Sequence, residues 1–337
     1  MPTETIRLAL AGDVMLGRTV NEVMHRSGPA YPWGNTIDFL RKADLTVINL
    51  ECVIAADGVP WSRWPKVFHF RADPVAMESL ILAGIDAVTL ANNHVLDFEE
   101  QAMLELLGRL DDAGIAHCGA APDLTAAARP ALLTRKGITV GIVAFTDNEP
   151  GWAAGPSQSG INYVPIRVTD EVLSAVRSAI QVARLGGANL VVLACHWGPN
   201  MRERPTPTFR AFARAVLDAG ADVFFGHSAH IIQGIEIYHG KPIIYDAGDF
   251  VDDYAVDPYL RNDQSLLFAL TVSRDGVVAL DLYPVLIDDY QVNFATGPEF
   301  ESIASRIEAL SAEMGTAVER RNGHLGVRDL GKKKGKG

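Results

Sequence analysis

No apolar stretch in this chain approaches the roughly 20 residues that a membrane-crossing helix requires, so no spanning segment is expected. Met1 to Ile6 (MPTETI) carries neither the basic start nor the apolar run of a secretion signal, and a cytoplasmic chain is expected. Cysteine is scarce. Cys52, Cys118 and Cys195 are the three present; they show no CxxC spacing, and their odd number argues against a disulfide framework, leaving small buried hydrophobes as the reading. Positive charge is also short, with 30 Lys and Arg against 41 Asp and Glu and a net charge of -11. That balance disfavours nucleic acid and anionic membrane surfaces as partners, and any anionic substrate must meet a local basic patch. Internal repeats and low-complexity linkers are absent too, so one domain over residues 1–316 is expected, followed by a tail over 317–337. The tail's glycine-lysine end, 331–337, cannot bury anything and reads as solvated and disordered.

What the chain does have is apolar content, 48% hydrophobic residues over 337, ample for a core. Strand-like runs recur at Ile6 to Ala11, Leu45 to Asn49, Ala87 to Ala91, Ile138 to Ala144, Leu190 to Cys195, Val223 to Phe225 and Pro242 to Tyr245. Amphipathic helical stretches lie between them at Pro74 to Ala83, Glu99 to Ala113, Asp170 to Leu185 and Pro207 to Ala219, and Glu299 to Met314 reads as a terminal helix. Gly151 to Gly160 reads as a mobile loop. Ser265 to Val272 and Val277 to Tyr283 flank an Asp275-Gly276 hairpin signal, which adds an antiparallel pair and points to a mixed sheet or a two-sheet sandwich.

Six polar motifs sit directly behind apolar runs: Gly12-Asp13, Asn49-Leu50-Glu51, Asn92-Asn93-His94, His196-Trp197-Gly198, Gly226-His227-Ser228-Ala229-His230 and Asp246-Ala247-Gly248-Asp249. Open α/β sheets bind ligands at the carboxyl ends of their strands, so six such deliveries make a candidate site. The residue types, carboxylate and amide oxygens mixed with imidazoles, are those of a metal centre. Asp13 can be a metal ligand, a general base or an N-cap. Asn49 and Glu51 straddle Leu50 at strand period two and can face one side. Asp97, three residues past His94, can orient its imidazole. His196, taken alone, reads as a satisfied core residue, while the spacing of His227 and His230 lets two imidazoles leave one turn towards a common centre. A loop from Pro60 to Asp73 mixes aromatics with Lys66, His69 and Arg71 and can close over a peptide-like or anionic ligand; the alternative is a surface set over packed aromatics. Arg202 and Arg204 form a second basic set, and Arg18 is the basic residue expected nearest the cleft.

Taken in order, GD, NLE, NNHxxD, HWG, GHxxH and YxxGxF resemble the CapA family of capsule and poly-γ-glutamate synthesis proteins, whose fold is similar to that of the calcineurin-like metallophosphoesterases. The resemblance runs from about Ile6 to Tyr283. It implies an α/β fold, a two-sheet mixed β sandwich flanked by helices, with the site at the sheet edge. It implies metal-ligand positions at Asp13, Glu51, Asn93, His196, His227 and His230, a general acid at His94 oriented by Asp97, and a divalent metal, Mn, Fe or Zn. Substrate contacts are expected from Arg18, Asn49, Lys66, His69, Arg71, Arg202 and Asp249. Three departures stand out: Asp13 is followed by Val14 and Met15 where the metallophosphoesterases have Asp-x-His, Asn49 and Glu51 replace Gly-Asp, and the histidine pair is spaced GHSAH rather than GHxH. Asp249 also stands where many relatives carry asparagine.

The cleft admits three functions. The first is a metal-dependent hydrolase-like enzyme of capsule-synthesis type acting on an anionic amide polymer, a peptide or a phosphorylated intermediate, with Asp13, His94 and Asp97 as its catalytic residues. The second is a metal-independent peptide epimerase using the same Asp and His groups for α-carbon proton transfer. The third is a noncatalytic accessory of a polymer synthesis or export complex; whichever function holds, the chain is expected either to be a soluble branch or to depend on capsule-synthesis membrane partners for its position.

Overall fold

Alternation of period two divides the strand residues between three apolar layers. In the strand Ile6–Val14, Ile6, Leu8 and Leu10 face one core while Ala9 and Ala11 face another. In Leu190–His196, Leu190, Val192 and Ala194 join Leu8 and Leu10 in the same inner core, and Val191, Leu193 and Cys195 face the opposite way. Strands buried on both faces need no polar side, which is why these runs are continuously apolar in the sequence. The computed structural model describes residues 4–328 and 330.

The inner core lies between two mixed sheets. The ten-stranded sheet runs Val318–Arg321, His324–Val327, Gly276–Asp288, Gln264–Ser273, Ile6–Val14, Leu45–Leu50, Ala87–Thr89, Ala116–Cys118, with Asp249–Val251 paired parallel to Ile6–Val14 and Gln291–Phe294 antiparallel to Gly276–Asp288. The six-stranded sheet runs Ile235–Tyr238, Lys241–Ile244, Val223–His227, Leu190–His196, Ile138–Thr146, Ala131–Arg135. Helices Arg18–Ser27, Ile37–Lys42, Val75–Ala83 and Glu99–Ala113 cover the outer face of the first sheet, and Asp170–Leu185 and Pro207–Asp218 cover that of the second. The helix Gly297–Glu313 packs Ile303, Ala304 and Ile307 into the inner core. The result is a two-sheet mixed β sandwich flanked by helices, as expected.

The Asp275-Gly276 signal marks a real hairpin, with Ser273 paired to Gly276, whose φ of 131° suits glycine. Two expectations differ. Residues 318–327, assigned to a tail, form a hairpin that joins the sheet through Asp281 and Leu282, and Leu325 is fully buried; only four-residue strands carry it, too short for a periodic signal. The glycine-lysine end at 331–337 lies outside the described residues, as do residues 1–3 of the Met1 to Ile6 stretch. The loop from Gly151 to Gly160 is anchored, because Trp152 is buried against Trp61 and Gly160–Ile161 pairs with Ala120–Ala121. All three cysteines are buried and free.

Candidate metal centre

In the first sheet Ile6–Val14, Leu45–Leu50 and Ala87–Thr89 are parallel neighbours, so their carboxyl ends share an edge, with Asp13 in register with Asn49 and also with Asp249. In the second, Leu190–His196 and Val223–His227 are parallel, with His196 in register with His227. The two edges coincide. Asp13 Oδ2 accepts a hydrogen bond from Ser228 N at 3.1 Å, joining the first strand of one sheet to the turn after a strand of the other. Gly12 is required here: the backbone of Gly248 comes so close, with Asp13 N donating to Gly248 O at 3.1 Å, that a Cβ would sit 1.9 Å from that oxygen. The GHSAH turn is held in left-handed backbone at Ser228 (φ 113°) and His230 (φ 61°), and Asp246 pins it by accepting from Ala229 N and Gly248 N. Such conformations cluster at functional sites.

Two ligand groups share Asp13. One is Asp13, His196 and His227; the other is Asp13, Glu51, His230 and Asp249, and within each the candidate donor atoms lie within 4.8 Å of one another. His196 Nδ1 lies 3.0 Å from His227 Nδ1, and its Nε2 lies 2.8 Å from Asn93 Oδ1 and 3.7 Å from Glu51 Oε1. His230 Nδ1 lies 2.8 Å from Asp249 Oδ1. Both oxygens of Glu51, His227 Nε2 and Asp249 Oδ2 are buried without a hydrogen-bond partner. Buried polar atoms are nearly always paired, so unpartnered atoms on three members of the two groups fit bound divalent cations.

The electrostatics agree. Burial raises the Asp13 carboxyl, but the interaction with His196 and the charges of the three imidazoles outweigh it and hold Asp13 well below the usual carboxylate range. Burial, reinforced by the Asp13 charge, pushes Glu51 well above that range. Asp249 is raised by burial and by the neighbouring Asp252 and Asp13 charges. Burial drives His227 down to about 3 despite Asp13. For His230 burial works downwards, yet the charges of Glu51 and Asp13 leave it raised. Carboxylates crowded this closely without cations resist ionisation, which a metal reverses.

Beside the cluster, His94 Nδ1 lies 2.6 Å from Asp97 Oδ2, which also accepts from Phe70 N at 2.7 Å, and the imidazole stacks on Phe70 with ring centroids 3.9 Å apart. Its Nε2 lies 3.9 Å from Glu51 Oε1. Burial and the Lys66 charge push His94 well below its ordinary value, while burial raises Asp97 to about 7. A cavity of about 670 Å³ opens here, with Arg18, Lys66, Phe68, Asn93, His94 and His230 among its walls.

Several expected substrate contacts are placed elsewhere. Asn49 is fully buried and braces Asp13, its Nδ2 donating to Asp13 Oδ1 at 2.7 Å while Thr89 and Asn92 donate to its Oδ1. Asp249 belongs to the ligand cluster. Lys66 reaches the cavity wall, but its Nζ donates to Asn93 O at 2.7 Å and sits 3.4 Å from Asp97 and 3.5 Å from Glu149. His69 is bonded to Trp61 O, and Arg71 donates to Ala55 O, Ala56 O and Asp73. Arg202 lines a separate cavity of about 320 Å³ behind Trp197. Basic residues near a motif in sequence are drawn to backbone carbonyls and acids that only the fold brings within reach. Asn92, named in its motif but given no role, accepts from His94 N and Val95 N with its Oδ1 and shapes the Asn93-His94 turn; missed altogether was Tyr254, which lines the cavity 5.2 Å from the His230 ring. The cue for Asn92 was the doubled asparagine; none marked Tyr254.

Two facing mixed sheets with a carboxylate and imidazole cluster where their strand ends meet are the arrangement expected from the resemblance to the calcineurin-like metallophosphatase fold. Within that class the match is narrower: the model of the bacterial capsule synthesis protein PGA_cap family covers residues 7–254, and the chain belongs to that family. A probable polyglutamine synthesis accessory protein of Mycobacterium tuberculosis (strain CDC 1551 / Oshkosh) is 30% identical over 366 residues, covering 96% of this chain and 95% of the relative. The PGA biosynthesis protein CapA of Bacillus subtilis (strain 168) is 25% identical, covering 85% of this chain and 73% of its own. Among solved structures, a hypothetical protein from Thermus thermophilus superposes with a TM-score of 0.50 at 15% identity, over 83% of this chain and 98% of that one, a likeness of fold. No helix among the described residues is long and apolar enough to cross a membrane.

Proposed function

We propose that this protein is a metal-dependent hydrolase of the capsule and polyglutamate synthesis kind, acting on an anionic amide polymer, a peptide or a phosphorylated intermediate. The observation that carries the reading is the pair of buried donor groups that share Asp13, in which Glu51, His227 and Asp249 each keep an atom without a hydrogen-bond partner. Asp13, Asn93, His196 and His227 would hold one divalent ion and Asp13, Glu51, His230 and Asp249 a second, of a kind that accepts carboxylate with imidazole: Mn, Fe or Zn. When bound, the metal supplies Lewis-acid polarisation of a carbonyl or phosphoryl oxygen. Asn49 and Ser228 fix the Asp13 carboxylate, and the stacked Phe70 fixes the plane of the His94 ring. The raised Asp97 keeps a proton in the bridge to His94 Nδ1, so Nε2, on the cavity side, is the position from which a proton reaches a leaving oxygen or nitrogen.

One observation favours a second reading, metal-independent epimerisation of a peptide: two imidazole-carboxylate dyads, His94 with Asp97 at 2.6 Å and His230 with Asp249 at 2.8 Å, border the same cavity. Elemental analysis of protein purified without added metal or chelator, followed by incubation with glutamyl and mixed peptides in D₂O, separates the two. The hydrolase retains divalent metal, cleaves, and leaves the α-hydrogens in place. Metal-free protein that takes deuterium into one α-carbon without cleavage, undiminished by EDTA, overturns the hydrolase in favour of the epimerase.

A further inference from the structure

The mouth of the catalytic cavity is apolar in a way that a glutamate polymer does not explain. Val67 and Phe68 stand at the rim 85% and 57% exposed, on a loop whose Trp61 and Phe70 are buried and whose Trp64 is half-buried. Exposed large apolar side chains grouped at a cleft mark a ligand surface. Met201, Tyr254 and Ala255 continue the apolar wall.

Charge gives the same answer. Arg18 and Lys66 are the two Lys or Arg side chains lining the cavity, and both are already matched. Arg18 Nε lies 3.3 Å from Asp253, and its guanidinium sits 5.9 Å and 5.5 Å from the ring centroids of Phe68 and Phe70; Lys66 Nζ is shared between Asn93 O, Asp97 and Glu149. Glu149 adds a carboxylate to the wall, so a run of substrate carboxylates entering the cleft would have to compete with Asp253, Asp97 and Glu149 for cations already engaged.

We propose that the substrate class is a peptide whose residue next to the reacting amide carries an apolar or aromatic side chain, seated against Val67, Phe68, Met201 and Tyr254, and that a homopolymer of glutamate is disfavoured. This rests on the cleft described above being the substrate site and selects the peptide from the classes named there. The Arg18 guanidinium, laid over Phe68 and Phe70, stiffens the wall, and its exposed edge accepts a single carboxylate at most.

The test is binding of N-acetylated, C-amidated pentapeptides with phenylalanine, leucine or glutamate at the centre of a serine-glycine background, and of γ-linked hexaglutamate, by saturation-transfer NMR titration. Both Mn²⁺-loaded and EDTA-treated full-length protein are used, with metal content measured separately. The phenylalanine peptide is expected to bind about tenfold tighter than the glutamate peptide or hexaglutamate, the scale set by burying one aromatic side chain. The V67S/F68S double variant, altered at exposed positions and keeping the parental melting temperature, loses that preference. Equal or tighter binding of either glutamate probe, no binding of any probe, or a preference that survives in V67S/F68S overturns the proposal. Selective peptide binding by a protein that holds no metal sustains the substrate class while removing the hydrolase; a metal-loaded, hydrolytic protein that prefers glutamate does the reverse.

Discussion

Replacing Glu51 by methionine should strengthen the metal-free protein and reduce the stability that metal adds. Glu51 is fully buried, both its oxygens lack partners, and the Asp13 and Asp249 carboxylates face it. Because its carboxyl is raised well above the usual range, the metal-free form holds it neutral, and the cost is that of an unpaired polar group, about 1–3 kcal/mol, rather than of a buried charge. Methionine keeps the length and flexibility of the side chain and removes both oxygens, so that cost is recovered. For a chain of this size about 1 kcal/mol moves the midpoint by roughly 2 °C, so the EDTA-treated variant should melt about 2–6 °C above the parent. With Mn²⁺ at a hundredfold excess over the dissociation constant of the group that holds Glu51, the parent gains about 2.7 kcal/mol there that the variant, lacking the ligand, does not, and the gap between the two midpoints closes or inverts. Differential scanning fluorimetry with EDTA and with Mn²⁺ reads both halves. A variant that melts below the parent in EDTA, or a midpoint rise on adding metal that is equal in both proteins, refutes the assignment of Glu51 as an orphaned ligand.

His94→Asn should leave metal content and melting temperature near the parent's and lower turnover by roughly 10²- to 10⁴-fold, the range for a lost general acid; full activity with any turned-over peptide contradicts that role. Asp252 is raised to about 7 by burial, so between its unfolded value near 3.8 and about 7 the folded state holds a proton that the unfolded chain has released, and stability of the metal-free protein falls as pH rises through that window and levels off above it. In EDTA, Asp252→Asn should therefore be increasingly more stable than the parent from pH 4 to 7, with a constant gap beyond; a gap that does not grow with pH, read from urea midpoints, removes the reasoning.

Much of this was legible in the linear chain because two-faced burial writes itself as continuous apolar runs, and because each run ends in the polar residues that its strand delivers. Glu99–Ala113 and Asp170–Leu185 emerged at their observed limits, since each carries a full apolar stripe over four turns. Residues 318–327 did not, because a four-residue strand at a sheet edge has too few alternations to register. Within the site, the strand-end residues Asp13, Glu51, Asn93, His196, His227 and His230 converge as their positions suggested. Direction within the cluster was hidden: strand period cannot tell that Asn49 turns inward to brace Asp13, or that Lys66 spends its charge on Asp97 and Glu149. Those outcomes depend on partners remote in the chain, 36 residues away in the case of Asn49 and Asp13.

The bond from Ser228 to Asp13 closes 215 residues of chain, and that distance sets an order of events during synthesis. A ribosome delivers Asp13, Glu51 and Asn93 first, a purely oxygen set suited to hard cations such as Mg²⁺, and the imidazoles of His196, His227 and His230 only much later. The first sheet is still unfinished at that point, because Gln264–Ser273, the strand that flanks Ile6–Val14, and the ligand candidate Asp249 follow the histidines in the chain. On the proposed function, a chain stopped just before residue 249 would carry the imidazoles but lack the last carboxylate and the strand beside Asp13, so a complete ligand set would report that the first sheet has closed around the second.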